Sequence, residues 1–146
     1  MEESMNLLEQ IRSRFQCGEV DIRTYSPLTM AYIGDAIYDL VIRTVVVERG
    51  NRSANALHRQ TTQYVKASAQ ARMIDALAQQ LTQEEADVYR WGHNAKFNTK
   101  AKNASLKEYR KATGMEALLG YLYMTGRTER LLELVQEGIA RIGMKL

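Results

Sequence analysis

Pro27-Leu-Thr-Met-Ala-Tyr-Ile-Gly34-Asp35-Ala-Ile-Tyr-Asp-Leu-Val-Ile42 is apolar at nearly every position, yet it carries a glycine and an aspartate at its centre. Ser26 reads as the N-cap of a helix and Pro27 as its first-turn residue. The helix should pass through the Gly-Asp pair to Val47 or Glu48 and end at Gly50. Apolar residues on almost every side make this the expected central, buried helix. Inside it, glycine costs about 1 kcal/mol relative to alanine, and a buried unpaired carboxylate costs more. Two such penalties side by side point to function.

A second stretch repeats the arrangement. Thr113-Gly-Met-Glu116-Ala-Leu-Leu-Gly120-Tyr-Leu-Tyr123 sets an acid in an apolar helix, with a glycine four residues on. At that spacing Glu116 and Gly120 share one helical face. Glycines on both helices would let the backbones approach closely and bring the two carboxylates together. Converging carboxylates in a basic chain suggest a divalent cation facing a polyanion. Such oxygen ligands suit Mg²⁺, with Mn²⁺ as a substitute, better than zinc. Asp39 lies one turn beyond Asp35 on the same face and is a possible helper. From position alone the bland reading stays open, in which Asp35 pairs with an arginine or caps another helix.

Outward from these stretches the pattern is helical throughout. Leu8, Ile11 and Phe15 mark a first helix over about 5–15, broken at Cys17-Gly18. Ser53 caps a helix through Leu57, Thr61, Tyr64 and Val65, and the pattern resumes from Ala69 to Leu81. Thr82-Gln-Glu-Glu85 and Ser105-Leu-Lys-Glu108 are capping boxes. The first opens a short helix to about Trp91, and the second opens the helix of Glu116, which Gly126 closes. A last amphipathic helix covers about 129–142. Residues 92–104 lack an apolar period and read as a loop. The expectation is one all-α domain over 1–146.

The 146 residues suffice for a real core. A composition 45% hydrophobic and 25% charged is that of an ordinary globular protein. One cysteine, Cys17, excludes an internal disulfide and fits a reducing compartment. No apolar run is long enough for a bilayer, and the acidic start Met1-Glu-Glu-Ser does not read as a targeting signal. A cytoplasmic protein is expected, without membrane partners. His58 and His93 are far apart and read as surface or contact residues. The seven methionines are scattered and read as core filling. Net charge is only +3, but between Arg90 and Lys111 seven basic residues face one acid, Glu108. His93, Asn94, Lys96, Lys100 and Lys102 are of the types that hold phosphates, and Phe97 or Trp91 could stack on bases. Trp91 serves equally well as a core anchor.

These motifs resemble a known family. Met30-Ala-Tyr-Ile-Gly-Asp35-Ala is similar to the signature helix of the ribonuclease III catalytic domain. Glu116-Ala-Leu-Leu-Gly120-Tyr-Leu-Tyr resembles its second acidic helix, and Tyr64-Val-Lys-Ala67 the segment between. With His93-Asn-Ala-Lys96 and Lys102-Asn-Ala-Ser105, the chain looks like the compact branch called Mini-ribonuclease III, which has no separate double-stranded-RNA-binding domain. The resemblance implies a ribonuclease III-like helical bundle and a Mg²⁺-dependent endoribonuclease acting on double-stranded RNA. It implies Asp35 and Glu116 as the catalytic, metal-holding carboxylates. It further implies a homodimer and, as substrate, precursors of large-subunit (23S) ribosomal RNA, with room for a ribosomal protein that assists. The family's auxiliary acids fall where this chain has Leu28, Ala31 and Thr113, so only the two essential acids carry over. A non-catalytic RNA-binding or ribosome-associated protein on the same fold is the alternative.

Overall fold

The computed structural model describes residues 6–18, 20–96 and 105–146. Its elements run α1 (Leu7–Arg14), a 3₁₀ turn (Ile22–Thr24), α2 (Pro27–Arg49), α3 (Ala54–Val65), α4 (Ala67–Leu77), a second 3₁₀ turn (Ala78–Gln80), α5 (Gln83–His93), α6 (Leu106–Met124) and α7 (Thr128–Arg141). No strand occurs among the described residues, so the all-α expectation holds.

Local chemistry sets the helix starts. Ser26 Oγ accepts from the Thr29 amide, with Pro27 in the first turn of α2. Both expected capping boxes are formed, Thr82 with Glu85 and Ser105 with Glu108. Each satisfies amides that a helix N-terminus otherwise leaves without partners. The Glu85 of the first box does more than cap. It is buried and receives two hydrogen bonds from Arg130 of α7, at 2.8 and 2.9 Å. At the other end of α6, Gly126 takes φ +76°, and the Arg127 amide turns back to the Leu122 carbonyl. That left-handed cap is cheap for glycine.

The central helix is α6, not α2. α6 packs against α2, α4, α5 and α7 and buries residues on most of its circumference from Ala112 to Leu122. The main core joins Tyr38 and Ile42 of α2, Met73 and Leu77 of α4, Met115 and Leu119 of α6, and Leu131 and Val135 of α7. Met30, Met73 and Met115 are all buried, in keeping with core filling. α2 instead leaves one apolar stripe bare: Tyr32 is 81% exposed and Val47 60%, with Leu28 and Leu40 also exposed. An all-round apolar sequence predicts burial, but it does not say whether the covering surface comes from the same chain.

Two further departures concern boundaries. The helical pattern expected to run on to residue 81 stops earlier: α4 ends at Leu77, a 3₁₀ turn covers Ala78–Gln80, and Leu81 is extended (ψ 140°). Gly92, expected to open a loop, lies within α5. A Cβ there would stand 2.5 Å from Ala117 Cβ and 3.0 Å from Gly114 Cα. The residue is glycine because α5 lies tight on α6, and that packing keeps the helix going.

Candidate active site

The α2–α6 crossing is built on Gly34 and Gly120. A Cβ on Gly34 would fall onto the Glu116 carbonyl, and one on Gly120 would fall onto the Met30 carbonyl. Backbone therefore meets backbone, as the paired glycines suggested. Asp35 follows Gly34 on α2, and Glu116 lies one turn before Gly120 on α6. The crossing brings them into electrostatic and hydrogen-bonding range, and burial, then the Asp35 charge, push the Glu116 carboxyl up to about 8.

The two acids differ in setting. Asp35 is exposed, which departs from the buried acid the sequence suggested, whereas Glu116 is recessed among buried neighbours. Gln70 of α4 donates through Nε2 to Glu116 Oε2 at 3.2 Å and to the Val65 carbonyl at 2.9 Å. Tyr38 stands beneath, fully buried, its hydroxyl donating to the Tyr64 carbonyl at 2.7 Å. Burial, then the charge of Glu116, holds that hydroxyl protonated far above its usual range.

Asp39 does not join the pair: it forms an ion pair with Arg43 at 2.7 Å. Thr113, at one auxiliary position of the family, is buried with its hydroxyl donating to the Tyr109 carbonyl one turn back. Among the described residues no group of three or more His, Cys, Asp or Glu side chains converges. Two carboxylates suit Mg²⁺, which is usually held by one or two carboxylates and completed by water and substrate phosphates. The raised carboxyl of Glu116 fits as well, since a cation between the acids would relieve both burial and repulsion.

The structure puts His93, Asn94 and Lys96 at the C-terminal end of α5, where a His93 ring nitrogen and the Asn94 side-chain oxygen lie 3.0 Å apart. Asn94 and Lys96 are exposed, with Ala95 buried between them. Lys100, Lys102 and Phe97 lie outside the described residues. Trp91 packs with Met30, Ala31 and Ala117, so the core-anchor reading applies. His58 is exposed, as expected of a surface residue.

Sequence reasoning missed Gln70. A signal was present: an amide three, four and seven residues before Met73, Ile74 and Leu77 sits on the apolar face of α4.

Comparison with known proteins identifies the family. Residues 28–127 match the Ribonuclease III domain family. The chain is 47% identical over 115 residues to a Mini-ribonuclease 3 of Thermoanaerobacter sp., covering 79% of this chain and 81% of that protein. It is 46% identical over 125 residues to the Mini-ribonuclease 3 of Enterococcus faecalis, covering 84% and 95%. A crystal structure of a protein from Fusobacterium nucleatum superposes with a TM-score of 0.75 at 27% identity, over 80% of this chain and 95% of that one. Two acidic motifs in order, the glycine crossing between them and relatives matched over most of their length lead to one assignment: the chain belongs to the ribonuclease III domain family, in its Mini-ribonuclease 3 branch.

Proposed function

We propose that this chain is a divalent-metal-dependent endoribonuclease that cuts double-stranded RNA, with Asp35 and Glu116 holding Mg²⁺, or Mn²⁺ in its place. The observation that carries the reading is the meeting of these two carboxylates across the glycine crossing. Bound there, the ion would polarise the scissile phosphate, activate a water and offset charge on the leaving oxygen. Exposed Asp35 is the acid that an incoming RNA backbone meets. Recessed Glu116 is the fixed one, tied by Gln70 of α4 and set among buried residues of α6.

His93, Asn94 and Lys96, continued by Lys100 and Lys102, supply the phosphate grip in this reading. Duplex RNA hides its base edges in a deep major groove, so recognition should follow shape, phosphates and 2′-hydroxyls. Affinity should fall steeply with salt. The bare stripe of Leu28, Tyr32, Leu40 and Val47 on α2 supports a homodimer, each subunit cutting one strand. Exposed apolar stripes of this kind mark association surfaces. Tyr32→Glu should yield a monomer in sedimentation. Resemblance to the Mini-ribonuclease 3 branch makes precursors of large-subunit ribosomal RNA the proposed substrate, with a ribosomal protein as a presenting partner. In the same reading residues 1–146 form one catalytic domain acting in the cytoplasm. No helix among the described residues is long and apolar enough to cross a membrane.

The test is cleavage of labelled duplexes, including base-paired ends of ribosomal precursors, with Mg²⁺ and an Asp35→Asn control. Loss of a metal-holding carboxylate should cost at least about 10²-fold, since metal polarisation contributes several kcal/mol. Binding without cleavage by the unaltered protein, in Mg²⁺ and in Mn²⁺, would leave a non-catalytic RNA-binding protein instead.

A further inference from the structure

Gln70 holds more than the helix junction requires. It lies in the first turns of α4 and is 1% exposed. Its Nε2 reaches two acceptors, the Val65 carbonyl at the end of α3 and Glu116 Oε2 on α6. The Val65 carbonyl, which can only accept, fixes the amide's orientation, because an amide turned over would set its oxygen against it. Gln70 Oε1 is then left buried with no hydrogen-bond partner among the described residues. An orphaned buried acceptor is costly, and an apolar side chain of similar length would fit this face of α4 without that cost. One N–H satisfies Val65; the other is committed to Glu116.

A glutamate needs such a partner. Its terminal torsion is broad rather than three-welled, so packing around the stem leaves the carboxylate free to turn. We propose that Gln70 is a positioning residue for the Glu116 carboxylate, its second amide hydrogen fixing the carboxylate plane in the arrangement that faces Asp35. The inference rests on Asp35 and Glu116 being the metal-holding pair. It adds that the third helix of the core, α4, sets the geometry of a site whose acids come from α2 and α6.

Gln70→Met keeps length and approximate volume and removes both donors. Cleavage of duplex RNA at saturating Mg²⁺ should fall about tenfold to a hundredfold, the usual loss when a side chain orienting a metal ligand is removed. RNA affinity in Ca²⁺ should be unchanged, placing the loss in kcat rather than KM. Calorimetry on the RNA-free protein should show Mn²⁺ binding weakened by a similar factor. A purely structural role would move the thermal midpoint and leave Mn²⁺ affinity alone. Unaltered cleavage and Mn²⁺ affinity in folded Gln70→Met overturn the proposal while the Asp35–Glu116 site stands. Full activity in Asp35→Asn overturns the site and the proposal together. Should Gln70→Met not fold, Gln70→Glu keeps the shape and decides: lost cleavage at saturating metal with RNA binding intact supports positioning, and wild-type cleavage refutes it.

Discussion

α6 is crossed by two helices through glycine, and the two crossings serve different ends. Against α5, Gly92 and Gly114 make room for each other, for Ala117 and for the Tyr89 ring. Among the described residues no acid stands at that crossing, where the close neighbours are the Ala117 methyl, the Tyr89 ring and backbone, and its product is a firm helix pair. Against α2, Gly34 and Gly120 do the same for backbone atoms, but Asp35 follows the first and Glu116 lies one turn before the second. Close approach alone is a packing device. It becomes a candidate site where the residues carried alongside are carboxylates that neither helix could bring together by itself.

The contrast can be broken most severely at the α2 crossing. Gly34→Ala would drive a methyl into the Glu116 backbone, which cannot yield as a side chain can. Overpacking usually costs about 1–3 kcal/mol and occasionally more; this variant should exceed that range, and urea denaturation would show it as loss of the folded baseline. A cooperative transition near the wild-type midpoint would mean that the helices can part without harm. Gly92→Ala meets the Ala117 methyl and the Gly114 Cα, so about 1–3 kcal/mol is expected. The folded fraction should still cleave RNA at the wild-type rate, which separates a structural crossing from a chemical one.

The pH dependence sharpens the same difference. Glu116 holds its proton to about 8 in the folded, metal-free protein, against 4.5 for an ordinary glutamate. Between those values the folded state binds more protons than the unfolded state, so stability falls as pH rises through the window. The contribution is full below about 4.5 and lost above about 8. One such group changes stability by at most about 1.4 kcal/mol per pH unit. Glu116→Gln should flatten this slope in denaturation series run with chelator, and a slope unchanged from wild type would show that the acid is not strained. Saturating Mn²⁺ should also flatten it, because metal displaces the proton.

The smallest expected effect is at the end of α5. Lys96→Ala removes one exposed cation and, if it touches a phosphate, should lower the magnitude of the salt slope of RNA binding by about 0.9. Equal slopes for variant and wild type would remove Lys96 from the interface.

Much of the fold was legible because its signals act over three or four residues. Ser26-Pro27, Thr82-Glu85 and Ser105-Glu108 satisfy amides within their own first turns. Asp35 and Glu116 were legible for a related reason, since an acid and a glycine at fixed spacing in an apolar helix stand out against their own surroundings. Gln70 did not, because its partner Glu116 is 46 positions away. Glu85 was read as a cap, and its second role depends on Arg130, 45 positions on. Gly92 fell within the loop reading because residues 92–104 lack an apolar period, and its close fit against Gly114 and Ala117 on α6 is a contact the local pattern does not carry.

The sequence by itself determined the helices and their caps and singled out the two acids as candidates, since local hydrogen bonding and apolar period are written in adjacent turns. Tertiary structure decided which helix is central, which face of α2 stays bare and how the acids differ. Exposed Asp35 and recessed Glu116 sit in similar apolar contexts along the chain. Their separation in solvation arises only when α6 is enclosed by α2, α4, α5 and α7, because desolvation is set by everything packed around a carboxylate and not by its neighbours in sequence.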